Sequence, residues 1–195
     1  MGCVQSNLSS TKPSVNTTGT TPAASLLEYK IVVLGDSGVG KSSISLRFAQ
    51  GVFPRTHEVT VGAAFLQNSV RLSDGSMHKL QIWDSGGSER FRAMAPLYYR
   101  DAGGCLLVLD VVDAKSFQSI AYWLGELRVK GPDYCVVYVL ANKADLVPAF
   151  DLQTVENFCI KEGVKFFKVS ALTGEGVNAV FTQLAQDISE KKRSR

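Results

Sequence analysis

The octapeptide "GDSGVGKS", Gly35 to Ser42, follows the apolar run "YKIVVLG" and precedes the helix-like "SSISLRFAQ". No other stretch constrains the chain as much. A GxxxxGK[ST] pattern between a strand and a helix lets backbone N–H groups turn inward, because glycine adopts backbone angles closed to other residues. The N-terminus of the following helix adds positive potential, so the loop from Asp36 through Ser37, Gly38, Val39, Gly40, Lys41, Ser42 and Ser43 is suited to cradle phosphates. Lys41 can then reach β- and γ-phosphates, and Ser42 can ligate Mg²⁺.

From Glu28 onward, apolar runs alternate with helix-length amphipathic stretches: "YKIVVLG", "LQNSVRL", "HKLQIWD", "GCLLVLDV", "CVVYVLAN" and "KFFKVSA" read as six strands. This order predicts an α/β fold, a mainly parallel six-stranded sheet with helices on both faces. The second and third strands are joined only by "SDGS", whose Asp74-Gly75 pair suits a tight turn, so they form an antiparallel hairpin. Residues 1–27 are rich in Ser, Thr, Asn, Pro, Gly and Ala and read as a disordered tether. Residues 28–190 form the domain and 191–195, "KKRSR", a basic tail. A chain of 195 residues suits one domain that buries roughly 70% of its unfolded surface. No apolar run reaches the ~18 residues a membrane span needs. A net charge of +3 is too small to argue for nucleic-acid binding, although the ending "EKKRSR" is locally basic. Cys3, Cys105, Cys135 and Cys159 lack metal-type spacing, and the last three sit in strand- or helix-like segments as core thiols.

A second signature selects a base. "NKAD", Asn142 to Asp145, follows the fifth strand, and "SAL", Ser170 to Leu172, follows the sixth. This pairing resembles the guanine site of small GTPases, where a carboxylate in the place of Asp145 accepts hydrogen bonds from guanine N1 and the 2-amino group, donors adenine does not offer in that arrangement. By that resemblance Asn142 bridges to the phosphate loop, Lys143 lies along the base and the Ala171 amide faces the guanine oxygen. With "TVGAAF" (60–65), "KLQIWD" (79–84), "ERFRAMAPLYYRDA" (89–102) and "LLVLDV" (106–111), residues 28 to about 188 resemble a Rab-type small GTPase with the P-loop fold. The "VGAAF" form most resembles the early-endosomal branch.

The resemblance implies GTP/GDP and Mg²⁺ as ligands, with Thr60 on Mg²⁺ and near the γ-phosphate and Asp84 holding a Mg²⁺-bound water. It places the Gly87 amide at the γ-phosphate and Phe53 edgewise on the base. Phe65, Trp83 and Tyr98 match an effector-binding trio, with burial in the core as the alternative for Trp83 above all. It further implies a monomer that meets exchange factors, activating proteins and effectors through its switch regions, at the cytoplasmic face of endosomal membranes with a cytosolic pool.

Departures from the family pattern are equally informative. No cysteine follows Cys159, whereas relatives carry prenylated cysteines near the C-terminus; instead "MGCVQS" fits N-myristoylation of Gly2, with Cys3 a palmitoylation candidate. One myristoyl chain binds bilayers only marginally, so a second signal is needed. Leu172 replaces a common lysine, Ser85 and Gly86 stand where Thr and Ala are usual, and Gly86-Gly87 predicts a looser second switch. Ser88 replaces the glutamine that positions the attacking water, leaving two readings: a slow switch dependent on an activating protein, or a scaffold held in the GTP state. A nucleotide kinase is disfavoured, because no second phosphate acceptor site is evident. If the acylation reading holds, Gly2→Ala releases the protein to the cytosol and Cys3→Ser leaves weak attachment. Membrane pelleting of the two variants measures this, and unchanged pelleting of both would refute it.

Overall fold

The computed structural model describes residues 27–54, 60–87 and 94–195. Gly2, Cys3 and Ser88 lie outside the described residues. The strands β1 (Leu27–Leu34), β2 (Ala63–Arg71), β3 (Met77–Ser85), β4 (Gly104–Asp110), β5 (Val136–Asn142) and β6 (Lys165–Lys168) form one sheet in the order β2-β3-β1-β4-β5-β6. Every pairing is parallel except β2 with β3. The expected hairpin is built by its turn: Gly75 adopts φ 82 and the Asp74 carboxylate accepts from Ser76 N–H at 2.9 Å. β6 is shorter than the apolar run that marked it. After Lys168 the chain leaves the ladder, although Val169 N–H still donates to Ala141 O at 2.9 Å and Val169 O accepts from Ala144 N–H at 3.1 Å.

Strand alternation divides the core in two. Tyr29, Ile31 and Val33 face α1 (Lys41–Gln50) and α5 (Val177–Arg193); Val32 and Leu34 face α2 (Ala95–Tyr99), α3 (Ala114–Lys130) and α4 (Leu152–Glu162). The central strand β4 is buried along its whole length, which is why its sequence is a continuous apolar run. Phe48 of α1 stacks on Phe181 of α5 with ring centroids 3.9 Å apart, tying the helix after the phosphate loop to the last helix. Asp113 and Asp151 cap α3 and α4 by accepting from the N–H two residues on. The basic end of the chain is largely helical: Lys191, Lys192 and Arg193 occupy the last turn of α5, where cations complement the helix dipole, and Arg193 pairs with Asp74 at 2.5 Å. No described helix is long and apolar enough to cross a membrane.

β1 lies between β3 and β4, where connections diverge to opposite faces of the sheet. The carboxyl ends of strands around such a point form a crevice in open α/β sheets. Gly35, Asp84, Asp110 and Asn142 all lie at the ends of these strands.

Burial holds the three described thiols protonated: Cys159 is pushed up to about 11, Cys135 to about 12, and Cys105 well above its usual value. Only thiolate is nucleophilic, so these groups gain reactivity only as pH rises towards those values. A Cys3→Ser variant treated with Ellman's reagent at pH 8 is expected to release almost no chromophore while folded, and three equivalents in guanidinium.

Candidate nucleotide-binding site

Gly40 precedes α1 at φ 93, and a Cβ there would sit 2.3 Å from Asn142 Nδ2. Only glycine satisfies both the backbone angle and the close approach. Asn142, the last residue of β5, is buried and uses both ends of its amide: Nδ2 donates to Val39 O at 2.8 Å, and Oδ1 accepts from Ala171 N–H at 3.1 Å. A single side chain thus joins the loop after β1 to the loop after β6.

Lys41 is buried beneath the first loop and donates to Asp36 O at 2.7 Å. Desolvation lowers its ammonium from 10.5 to about 8, while the carboxylates of Asp84 and Asp36 act in the opposite sense. Asp84, near the end of β3, is also buried. Desolvation raises its carboxyl above the usual value, opposed by a Ser42 hydrogen bond and by Lys41. Its Oδ1 has no hydrogen-bond partner among the described residues. The Ser42 and Thr60 hydroxyls lie 2.8 Å apart, so the first helix and the segment before β2 meet here. The set of two hydroxyls and an under-satisfied buried carboxylate is all oxygen, the donor chemistry that Mg²⁺ takes together with water and phosphate. Gly87 packs on the same loop: a Cβ there would sit 2.3 Å from Lys41 Nζ and 2.6 Å from Asp36 O.

At the other end, Ser170 Oγ donates to Asp145 Oδ1 at 2.5 Å and fixes that carboxylate. Among the described residues Lys143 alone has positive φ without being glycine, at 64. Its ammonium pairs with Asp110 at the end of β4. The Ala171 amide, expected at the guanine oxygen, donates to Asn142 Oδ1 at 3.1 Å.

These residues enclose a cavity of about 870 Å³. Ser37, Gly38, Gly40, Lys41, Ser42, Ser43, Thr60, Asp84 and Gly87 line one part, and Phe53, Asn142, Lys143, Asp145, Leu146, Ala171 and Leu172 another. Asp36, Val39 and Ser170 support the wall from behind through the bonds described. The sequence reading did not single out Arg47, Asp110 and Ser119. Arg47 donates to Ala171 O, and Ser119 of α3 donates to the Asp36 carboxylate. An aspartate ending the run "LLVLD" was the one available signal for Asp110.

The expected aromatic trio is contiguous. Phe65 and Trp83 are cross-strand partners with ring centroids 5.6 Å apart, and Trp83 lies 6.3 Å from Tyr98. Phe65 is 50% exposed, whereas Trp83 and Tyr98 are half-buried against the core, so the trio has one open member and two anchored ones. The looseness expected of Gly86-Gly87 is limited at its first residue, because Gly86 N–H donates to Gly62 O at 2.8 Å.

The sequence profile of the Ras family matches residues 30–190. The chain is 47% identical over 196 aligned positions to Ras-related protein Rab-5B of Plasmodium falciparum, covering 96% of this chain and 94% of that protein. It is 38% identical over 196 positions to GTP-binding protein YPT52 of Saccharomyces cerevisiae, covering 85% and 82%. It is 36% identical over 172 positions to Ras-related protein Rab-5A of Dictyostelium discoideum, covering 87% and 85%.

Gly40→Ala combines a strained backbone with a collision at Asn142. Backbone strain of this kind costs about 1–3 kcal/mol, and a loop that shifts to relieve it loses the geometry that cradles phosphates, so guanine nucleotide affinity is expected to fall by about ten- to a hundredfold. Equilibrium titration with a fluorescent GDP measures it, and an unchanged affinity would exclude this loop from the binding site.

Proposed function

The chain belongs to the Ras family of small GTPases, and we propose that it is a Rab-type switch of the early-endosomal branch, anchored through acyl groups on Gly2 and Cys3. Proteins of this family bind GTP and GDP with Mg²⁺, hydrolyse GTP, and meet exchange factors, activating proteins and effectors. The endosomal assignment rests on "TVGAAF" and on the similarity to the Rab-5B and Rab-5A proteins.

The observation that carries the site reading is that one cavity joins Lys41, Ser42, Thr60, Asp84 and Gly87 to Asn142, Lys143, Asp145 and Ala171. In this reading the inward amides of residues 36–43 and Lys41 hold the phosphates, and phosphate charge repays the desolvation of the buried amine. Ser42 and Thr60, with Asp84 through water, would hold Mg²⁺, which would supply positive charge against the phosphates. Asp145 selects guanine, and Phe53 and the Lys143 stem cover the base. Thr60 and Gly87 touch the γ-phosphate, so its loss frees both switch segments and withdraws the Phe65–Trp83–Tyr98 surface from effectors.

Ser88 governs the rate. Its side chain is shorter than glutamine, so from the same backbone its hydroxyl falls short of the water that attacks in line. Related proteins that keep glutamine hydrolyse GTP at roughly 10⁻⁴–10⁻³ s⁻¹ unaided, and turnover here is expected at or below that range. Activating proteins of the Rab-directed type supply both an arginine and a glutamine, which makes a slow, externally controlled switch the preferred reading over a scaffold.

Two measurements test the proposal. Asp145→Asn replaces an acceptor by an amide and is expected to shift preference from GTP towards XTP in competition binding; equal wild-type affinity for ATP and GTP would refute the guanine assignment. In single-turnover hydrolysis, wild type is expected to be slow alone and accelerated by an arginine-glutamine activating protein. A fast intrinsic rate that falls in Ser88→Gln would make Ser88 catalytic, and no acceleration of either form would favour the scaffold.

A further inference from the structure

Arg47, in the last turn of α1, sends two hydrogen bonds across to the base end of the cavity. Nε donates to Ala171 O at 2.9 Å and one terminal nitrogen to Leu172 O at 2.6 Å. The other terminal nitrogen donates to Gly51 O at 2.8 Å, just past the end of its own helix. That third bond helps to orient the guanidinium plane, with its fork aimed at the base loop.

The base loop has internal ties of its own: Ser170 Oγ accepts from Thr173 N–H at 3.1 Å, and Ser170 O from Gly174 N–H at 2.8 Å. These set the shape of the turn, not its position against α1. Arg47 holds it from the side of α1, as Asn142 does from the end of β5. The loop also closes over its stem, since a Cβ on Gly174 would sit 3.5 Å from Arg47 Cδ. Ala171 is therefore gripped on two sides, its carbonyl by the guanidinium and its N–H by Asn142 Oδ1. Arg47 itself does not line the cavity.

We infer that Arg47 is a positioning residue for recognition of the purine 6-oxo group: by holding the Ala171 and Leu172 carbonyls, it fixes the two peptides that follow the Ala171 N–H and so the place of that N–H against the cavity. The inference rests on the guanine reading of the site and assigns part of base discrimination to a side chain that never meets the base. A lysine cannot replace it, because one ammonium on a flexible stem lacks the planar fork that reaches three carbonyls at once.

The test compares dissociation constants for GDP, IDP and the diphosphate of 2-aminopurine riboside, which lacks the 6-oxo group, in full-length wild type, Arg47→Met and Arg47→Lys. Arg128→Met, which breaks the contacts of Arg128 to Glu162 at 2.5 and 2.9 Å away from this cavity, serves as the control. Arg47→Met is expected to weaken GDP and IDP by about tenfold, equivalent to about 1.4 kcal/mol. The 2-aminopurine nucleotide should change by less than about threefold, about 0.7 kcal/mol. Arg47→Lys should fall between, and Arg128→Met should match wild type with all three. An equal loss for the three nucleotides, or no loss of GDP affinity, would overturn the inference. Failure of the wild type to prefer GDP over ADP would instead overturn the guanine reading. Should Arg47→Met not fold, the GDP to 2-aminopurine comparison in Arg47→Lys decides alone.

Discussion

The Asn142 side-chain amide is the joint on which the site depends. Its donor holds the carbonyl of Val39 and its acceptor holds the amide of Ala171, so both loops inherit their positions from the end of β5. Leaving one buried partner unsatisfied costs about 1–3 kcal/mol, a large fraction of the stability of a domain this size. The joint also dictates residues around it. Gly40 must lack a side chain because Asn142 occupies the space, and the β4–β5 register sets Asn142 opposite Asp110, which in turn pairs with Lys143.

Below the phosphate loop, two opposite charges are buried together. Lys41 is driven towards its neutral form and Asp84 towards its acid form by the same loss of water, and each partly restores the other. A ligand that brings several negative charges and a divalent cation relieves both at once. Ligand binding and folding are then linked, because whatever binds the folded chain alone adds directly to its stability.

Much of this architecture is legible in the sequence because its signals are local. Strand alternation, the Asp74-Gly75 turn and the two loop motifs each declare themselves within a short window. The residues that escaped reading act over distance: Arg47, Ser119 and Asp110 meet partners 124, 83 and 33 positions away. An arginine or serine on an amphipathic helix carries no mark that separates a solvated side chain from a clamp on a remote loop. The end of β6 was misjudged for a related reason. "VSA" continues the apolar run, but Val169 to Ala171 are held by loop contacts after the ladder has ended. Gly86 shows the converse, a residue type chosen for freedom whose backbone is tied down by a neighbour.

That tie between Gly86 and Gly62 prolongs the β2–β3 ladder one step past the Ala63–Ser85 pair, into the segments that carry Gly87 and Thr60. The two segments consequently leave the sheet from one shared root. Displacing either at its base strains a bond to the other, so the two are joined at that root like the blades of a pair of tweezers. A partner that pulled the Gly87 side away at this root would therefore have to break the bond to Gly62 on the other side.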